Sequence, residues 1–392
     1  MRAQTEAPVR RLALKVVHRV EELAPFIAPW DELAQQRGLP YCSPHWLLPW
    51  WNHVAPSKAS LHVIAVWEGS ELVAIAPFFA LTARTGGADY HLLGHKTSPR
   101  VEPLCAEGFE LVAGRLFADA LGRENPRARL VCFDGIPANS SWPRLLADAW
   151  PGARPWIHTE LLRPAPTVEL CADGYDAWLA NKSKNFRQQM RRSRRKLDER
   201  QAVARLPQSG TEIKQSLADF ARLHRARWDS RGGSRVLDRR VEDMLAEVAE
   251  VMPAGSRFRL WTIEASGQTI SAHIFLSAGG EVSYWLGGFD EAWAPLHPSM
   301  LTIAAALEHS LHVGDRRLDL NSGAQPYKYR FADDEDQLAW KQLVPRGRTS
   351  LITSARLIRR DLVRKAYERL SEPTRERIKR TLSTLRKLGS IG

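Results

Sequence analysis

The pattern of apolar and polar positions divides the chain into recurring strands and helices. In RLALKVV, Leu12, Leu14 and Val16 alternate with their neighbours and predict a short strand. A helical stretch follows through Trp30, Leu33 and Ala34, and YCSPHWLLPWWNH then spaces Trp46, Trp50 and Trp51 for a helix that packs aromatics into a core. LHVIAVW and ELVAIAPFFAL are β-rich runs joined at Gly69-Ser70, the mark of a hairpin. YHLLGH predicts a strand, ELVAGRLFADALG a helix and RARLVCFDGI a strand. A helix between two strands implies a crossover and a parallel pair. The Pro- and Trp-rich stretch 143–166 reads as a linker.

The second half repeats the order. Helices are expected over 175–200, 211–229 and 238–252. RFRLWTIEA, QTISAHIFLS and EVSYWLGGF form a three-stranded meander with turns at Ser266-Gly267 and Gly279-Gly280. PSMLTIAAALEHSLHVG is a helix opened by Pro298 and closed by Gly314, and RRLDL is a final strand. Hairpin, strand, crossover helix and strand thus occur twice. The expected organisation is α/β with a mixed sheet: an N-terminal unit over 1–160, a C-terminal unit over 161–345, and a helical tail over 346–392 broken near Pro373.

Charge sharpens this division. The 392 residues carry a net charge of +12. Residues 346–392 hold fourteen Lys or Arg against four acids, and residues 181–200 hold nine against two, so everything else is net acidic. Positive charge confined to two blocks points to an anionic partner. Cys42, Cys105, Cys132 and Cys171 are scattered, with no CxxC pair and no nearby His at metal spacing. The expectation is therefore no metal, no disulfide framework and a reducing, cytoplasmic setting. The longest apolar run, Leu72–Leu81, is too short to cross a bilayer, and no export signal is read at the N-terminus.

The nucleotide-binding glycine motifs, GxSxG and HExxH are all missing. Candidate chemistry gathers in the second half. The N-terminus of the 298–312 helix, with Ser299 in its first turn, can hold a phosphate or a developing oxyanion, although every crossover helix has such an end. LDLNSGAQPYKYRF follows the last core strand, where α/β sheets often place ligands. Lys328 there, beside Tyr327, either stabilises anionic charge or is a solvated loop lysine. Asp319 either orients a substrate amine or is merely exposed. His224, Arg227 and Trp228 lie within one turn on one helical face, as a pocket wall or a cationic helix end. His273 and Tyr284, on adjacent strands, are acid–base candidates or packing. Around 184–198, Phe186, Met190 and Leu197 form an apolar stripe. Lys184, Arg187, Arg191 and Arg194, with Arg192 and Arg195 further round, form a face suited either to phosphate or to solvent.

Together, W-DEL…S-PHW…PWW, NKSKNFRQQMRRSRRKLDE, LHRARW-DSRGG and YWLGGFDEAWAPLHPSMLT…RRLDLNSGAQPYKYRF resemble the CelD-like branch of the GNAT acyltransferases, related to the Fem-type aminoacyltransferases. The resemblance covers roughly residues 12–345. It implies tandem GNAT-like domains with the active site in the C-terminal one, and attack of an amine on an activated acyl carbon. It matches Lys328 to the Fem-like lysine expected to stabilise the addition intermediate, and Asp319 and Tyr284 to positions lining the same cleft. It implies no bound cofactor. The acyl donor is a co-substrate, aminoacyl-tRNA or acyl-CoA, and the acceptor a small amine, a peptide or an envelope sugar.

One departure bears on the donor. GNAT enzymes that use acetyl-CoA present a Q/R-x-x-G-x-G/A loop before the helix. Here the stretch is EAWAPLHPSM, where Pro295 and Pro298 lack N–H groups for a pyrophosphate. A polyanionic tRNA would account for the arginine helix and the basic tail. The CelD-like branch is nonetheless generally described as acetyltransferase. A non-catalytic alternative has the tail docking on an anionic membrane surface.

Overall fold

A computed structural model describes residues 11–370 and Thr374, except 84–85, 124–125, 230–232, 235 and 348–349. The first half runs β1 (Leu12–Val17), α1 (Ile27–Gln36), α2 (Pro44–His53), β2 (Ala59–Glu68), β3 (Glu71–Thr82), β4 (Ala88–Leu92), β5 (Leu104–Cys105), α3 (Glu110–Arg123), β6 (Ala128–Pro137), α4 (Trp142–Asp148) and β7 (Trp156–Glu169). The second half runs α5 (Tyr175–Ala180), α6 (Lys184–Asp198), β8 (Val203–Arg205), α7 (Gly210–Asp229), α8 (Arg239–Val251), β9 (Phe258–Ala265), β10 (Gln268–Ala278), β11 (Glu281–Phe289), α9 (Pro298–His312), β12 (Arg317–Asp319), α10 (Pro326–Phe331) and β13 (Asp334–Val344). α11 (Ser350–Glu368) follows.

The duplicated order is present. β2, β3 and β4 form an antiparallel meander and α3 crosses over to β6, which lies parallel to β4. β9, β10 and β11 repeat the meander, and α9 crosses over to β12, parallel to β11. The expected linker at 143–166 is instead α4 and most of β7, and the expected boundary at residue 160 falls inside that strand.

Each half gives its last strand to the other. β13 pairs antiparallel with β6 of the first half, and β7 pairs with β12 of the second. β7 and β13 also pair with each other from Val344↔Trp156 to Asp334↔Thr167. One mixed sheet results, ordered β1-β2-β3-β4-β6-β13-β7-β12-β11-β10-β9-β8. Pro164 and Pro166 fit β7 because β12 ends at Asp319, opposite Thr167. Beyond that point their edge meets only loop, and their carbonyls accept the N–H groups of Gly323 and Leu320.

The predicted tryptophan helix is buried: Trp46 and Trp50 are fully enclosed, and Trp46 packs edge-on against Trp285 of β11. Cys42, Cys105 and Cys132 are buried free thiols, and Cys171 is an exposed one. The tail is less separable than its charge suggests. α11 docks on the exchanged strands through buried Thr353 and Leu357, and Asp361 meets His158 at 3.1 Å. The expected second tail helix lies outside the described residues. Among those residues no helix is long and apolar enough to cross a membrane.

Candidate active site

β11 and β12 are hydrogen-bonded only from Glu281↔Arg317 to Ser283↔Asp319. Past that point they part, because β12 ends while β11 runs on to Phe289. The gap opens a cleft of about 730 Å³. Tyr284–Gly287 form one wall, Asn321, Ser322, Tyr327 and Lys328 another, and the N-terminus of α9 the third. The first half closes it with Lys96–Pro99 and Asp134, and the exchanged strands contribute Arg163 and Trp340.

Lys328 is the central group. It lies on α10, only 3% exposed. Its ammonium donates to the carbonyls of Asn321 (3.0 Å) and Ser322 (2.9 Å), leaving one N–H for the cleft. Burial lowers its pKa from the ordinary 10.5 to about 8, against the opposing pull of Asp319. At neutral pH it is a desolvated cation beside the opening of the sheet. The solvated-lysine alternative is excluded by this burial.

Asp319 does not face the cleft. It accepts Arg100 Nε at 2.8 Å and Nη2 at 3.2 Å, and the Asn321 N–H at 3.0 Å. Arg100 also reaches Asp336 at 2.8 Å. Instead of orienting an amine, Asp319 ties the end of β12 and the Lys328-binding turn to the first half. It is a positioning residue.

His273 is also set back, 1% exposed. Its Nε2 lies 3.1 Å from Ser299 Oγ, and burial drives its pKa down to about 3. Such an imidazole stays neutral and is a weak base. With its Nδ1 unpartnered, no carboxylate supports it as in a nucleophilic triad. The Tyr284 ring stacks on it at 5.4 Å. The phenols of Tyr284 and Tyr327 hydrogen-bond to each other, and burial holds both pKa values above the usual tyrosine range. They are neutral donors and acceptors lining the cleft.

α7 reaches the sheet closely because β11 carries two glycines. A Cβ at Gly288 would lie 2.7 Å from the His224 backbone nitrogen, and one at Gly287 would meet the His273 ring. His224 is pinned between the Gly287 carbonyl (3.3 Å) and Ser234 (2.8 Å). Arg227 stacks over Phe289 at 4.8 Å with its Nε buried and unpartnered. His224, Arg227 and Trp228 all line the cleft.

The basic helix is α6, broken from α5 at Ser183, whose hydroxyl caps Phe186 N–H. Phe186, Met190 and Leu197 are buried as expected. Its cations do not act as one stripe. Arg187 turns back to the carbonyls of Ala180 and Lys182, Arg194 pairs with Glu308, and Arg195 with Glu199. Lys184, Arg191 and Arg192 are exposed and meet no acid among the described residues. Arg192 joins Lys196, Asn185, Gln188 and Gln189, which the sequence did not single out, in a groove of about 570 Å³ against Pro295 and His297. His297 lines the cleft as well and so stands between groove and cleft.

At that junction backbone donors are scarce. Pro295 and Pro298 have none, and the Met300 and Leu301 N–H groups bond back to His297 O at 3.0 and 3.2 Å.

Residues 184–329 match the family described as Acetyltransferase (GNAT) domain. The chain carries a GNAT acyltransferase domain. It contains the splay, α9 and Lys328. No curated protein matches the chain. Among solved structures, FemX is similar over 84% of this chain and 97% of its own, with 9% identity and a TM-score of 0.57. The C-terminal domain of a putative lysylphosphatidylglycerol synthetase from Agrobacterium fabrum is similar over 84% and 94%, with 12% identity and a TM-score of 0.55. A conserved protein of unknown function from Bacteroides thetaiotaomicron is similar over 85% and 100%, with 10% identity and a TM-score of 0.51. At these identities the likeness is one of fold, and it extends across both halves.

Proposed function

We propose that the protein transfers an aminoacyl group from tRNA to the amine of a small molecule or peptide. The amine attacks the ester carbonyl in the cleft, the Lys328 ammonium stabilises the oxyanion of the tetrahedral intermediate, and the tRNA ribose oxygen leaves with the proton that the amine gives up. The observation that carries the donor assignment is the groove of Arg192 and Lys196, which adjoins the cleft at His297 where a CoA pyrophosphate would find few free N–H groups. Arg191 and Lys184, which meet no acid among the described residues, extend the positive surface along α6, as phosphate-dominated binding requires.

The second reading is an acyl-CoA-dependent N-acetyltransferase, favoured by the description of the matching family. Titration with mixed charged tRNA and, separately, acetyl-CoA distinguishes them. For about six phosphate contacts, log K for tRNA should fall against log salt with a slope of about −5. Replacing Arg191, Arg192 and Lys196 with Ala should flatten that slope. Turnover of acetyl-CoA with tRNA absent would overturn the first reading and establish the second.

A further inference from the structure

The first half has a splay of its own. β4 and β6 pair in parallel from Ala88↔Ala128 to His91↔Cys132 and then separate. Three side chains converge there: His91 near the end of β4, His95 in the following turn, and Asp134 on β6. His95 Nδ1 lies 2.5 Å from Asp134 Oδ2, and His91 Nδ1 lies 3.7 Å from the same oxygen.

We propose that His91 Nδ1, His95 Nδ1 and an Asp134 carboxylate oxygen form a binding site for a divalent transition-metal ion of the zinc type. The three ligand atoms lie within 4.8 Å of one another. Zinc–ligand bonds of about 2.0–2.1 Å set tetrahedral ligands about 3.3 Å apart, so the His95–Asp134 contact must open and the His91–Asp134 contact close, each by less than about 1 Å, to admit the ion. Two imidazoles and one carboxylate suit zinc-type ions better than magnesium or calcium, which take oxygen ligands.

A structural His95–Asp134 hydrogen bond accounts for two of these residues and not the third. His91 Nδ1 is buried and makes no hydrogen bond of normal length among the described residues; it lies 3.7 Å from an Asp134 oxygen that His95 already engages, within reach of electrostatic attraction only. The two imidazole centres are 4.3 Å apart. A bound cation satisfies that nitrogen and links all three groups. The rings are also held in place. His91 stacks on Phe79 at 5.5 Å, and His95 meets the edge of the same ring. The turn carrying His95 is closed by the N–H groups of Thr97 and Ser98 on Gly94 O, with Gly94 at φ +80°. A Cβ there would press on Leu47 and Ser98 at 3.1–3.3 Å.

Three protein ligands leave a coordination position open. Asp134 and the neighbouring Lys96 and Thr97 line the cleft, so that position is available to water or to an oxygen of an anionic substrate. The site is independent of Lys328 and of the donor.

Calorimetric titration of chelator-treated full-length protein with Zn²⁺ tests it, with Co²⁺ absorption reporting the ligand field. One equivalent is expected to bind. His91→Ala and His95→Ala should each weaken binding by about tenfold or more. His309→Ala/His312→Ala, on the last turn of α9, should change nothing. Absence of stoichiometric binding by the unaltered protein, or an affinity in both ligand variants unchanged from that of the unaltered protein, overturns the site. If the variants fail to fold, anomalous diffraction from Zn²⁺-soaked crystals of the unaltered protein decides. A peak between His91, His95 and Asp134 upholds the assignment, and its absence there refutes it.

Discussion

Replacing Lys328 with Met separates catalysis from stability. A pKa drop from 10.5 to about 8 means the fold disfavours the ammonium by about 3 kcal/mol relative to the free amine. Because the folded pKa lies below the unfolded one, the unfolded chain binds more protons between pH 8 and 10.5, and stability rises with pH across that window. Met removes this penalty but strips the Asn321 and Ser322 carbonyls of their donor, at about 1–3 kcal/mol each. The two effects are opposed and similar in size, so urea denaturation at pH 7 should show a net change within about 2–3 kcal/mol. Turnover, with whichever donor is used, should fall about 10²–10³-fold. The ratio of native to variant turnover cancels ionisation of the acceptor amine. It should be flat below pH 8 and decline about tenfold per pH unit above it, as Lys328 loses its proton. A ratio that rises through pH 8 would make Lys328 a base. A ratio near one throughout would remove it from the reaction.

The Arg100–Asp319 pair joins the halves beneath the cleft, and Asp319→Asn leaves a buried guanidinium partly unpaired. A loss of about 3–5 kcal/mol is expected in urea denaturation, accompanied by lower turnover as the Lys328-binding turn loosens. Unchanged values in both would refute the positioning role. On α11, Leu357→Asp should destabilise markedly because Leu357 is 6% exposed, whereas Leu351→Asp, at 82% exposed, should stay within about 0.5 kcal/mol. Equal melting temperatures for the two variants would show that the helix does not support the body.

Local pattern was sufficient for most elements. Alternation and 3.6-residue spacing identify the first hairpin and its following strand, the second meander, the crossover helices α3 and α9, and the buried tryptophans of α2. What escaped depends on partners distant in the chain. β7 looks like a linker because Pro164 and Pro166 argue against a strand, and only the early end of β12 makes their edge harmless. The strand exchange leaves no periodic trace, since register is a property of pairs. Lys328 was legible as a candidate from its place after RRLDL, which the pattern took for the final strand although β13 follows it, but Asp319 turned inward because Arg100 arrives from the other half. The cluster of His91, His95 and Asp134 was not legible because Asp134 comes from a strand about forty residues later. On α6 the helical wheel located the cations correctly, yet could not tell which of them neighbouring carbonyls and acids would occupy.

The exchanged strands also impose a timetable on synthesis. β6 is complete at Pro137, but the strand that covers its outer edge, β13, ends at Val344. At about 5–20 residues per second, about 200 residues take about 10–40 s to emerge, against microseconds for a local hairpin. Throughout that interval the first half leaves the ribosome with a β6 edge that another nascent chain could occupy. Neither half can finish its sheet alone, so yield in a cell should depend on chaperone capacity and on translation speed between the two units.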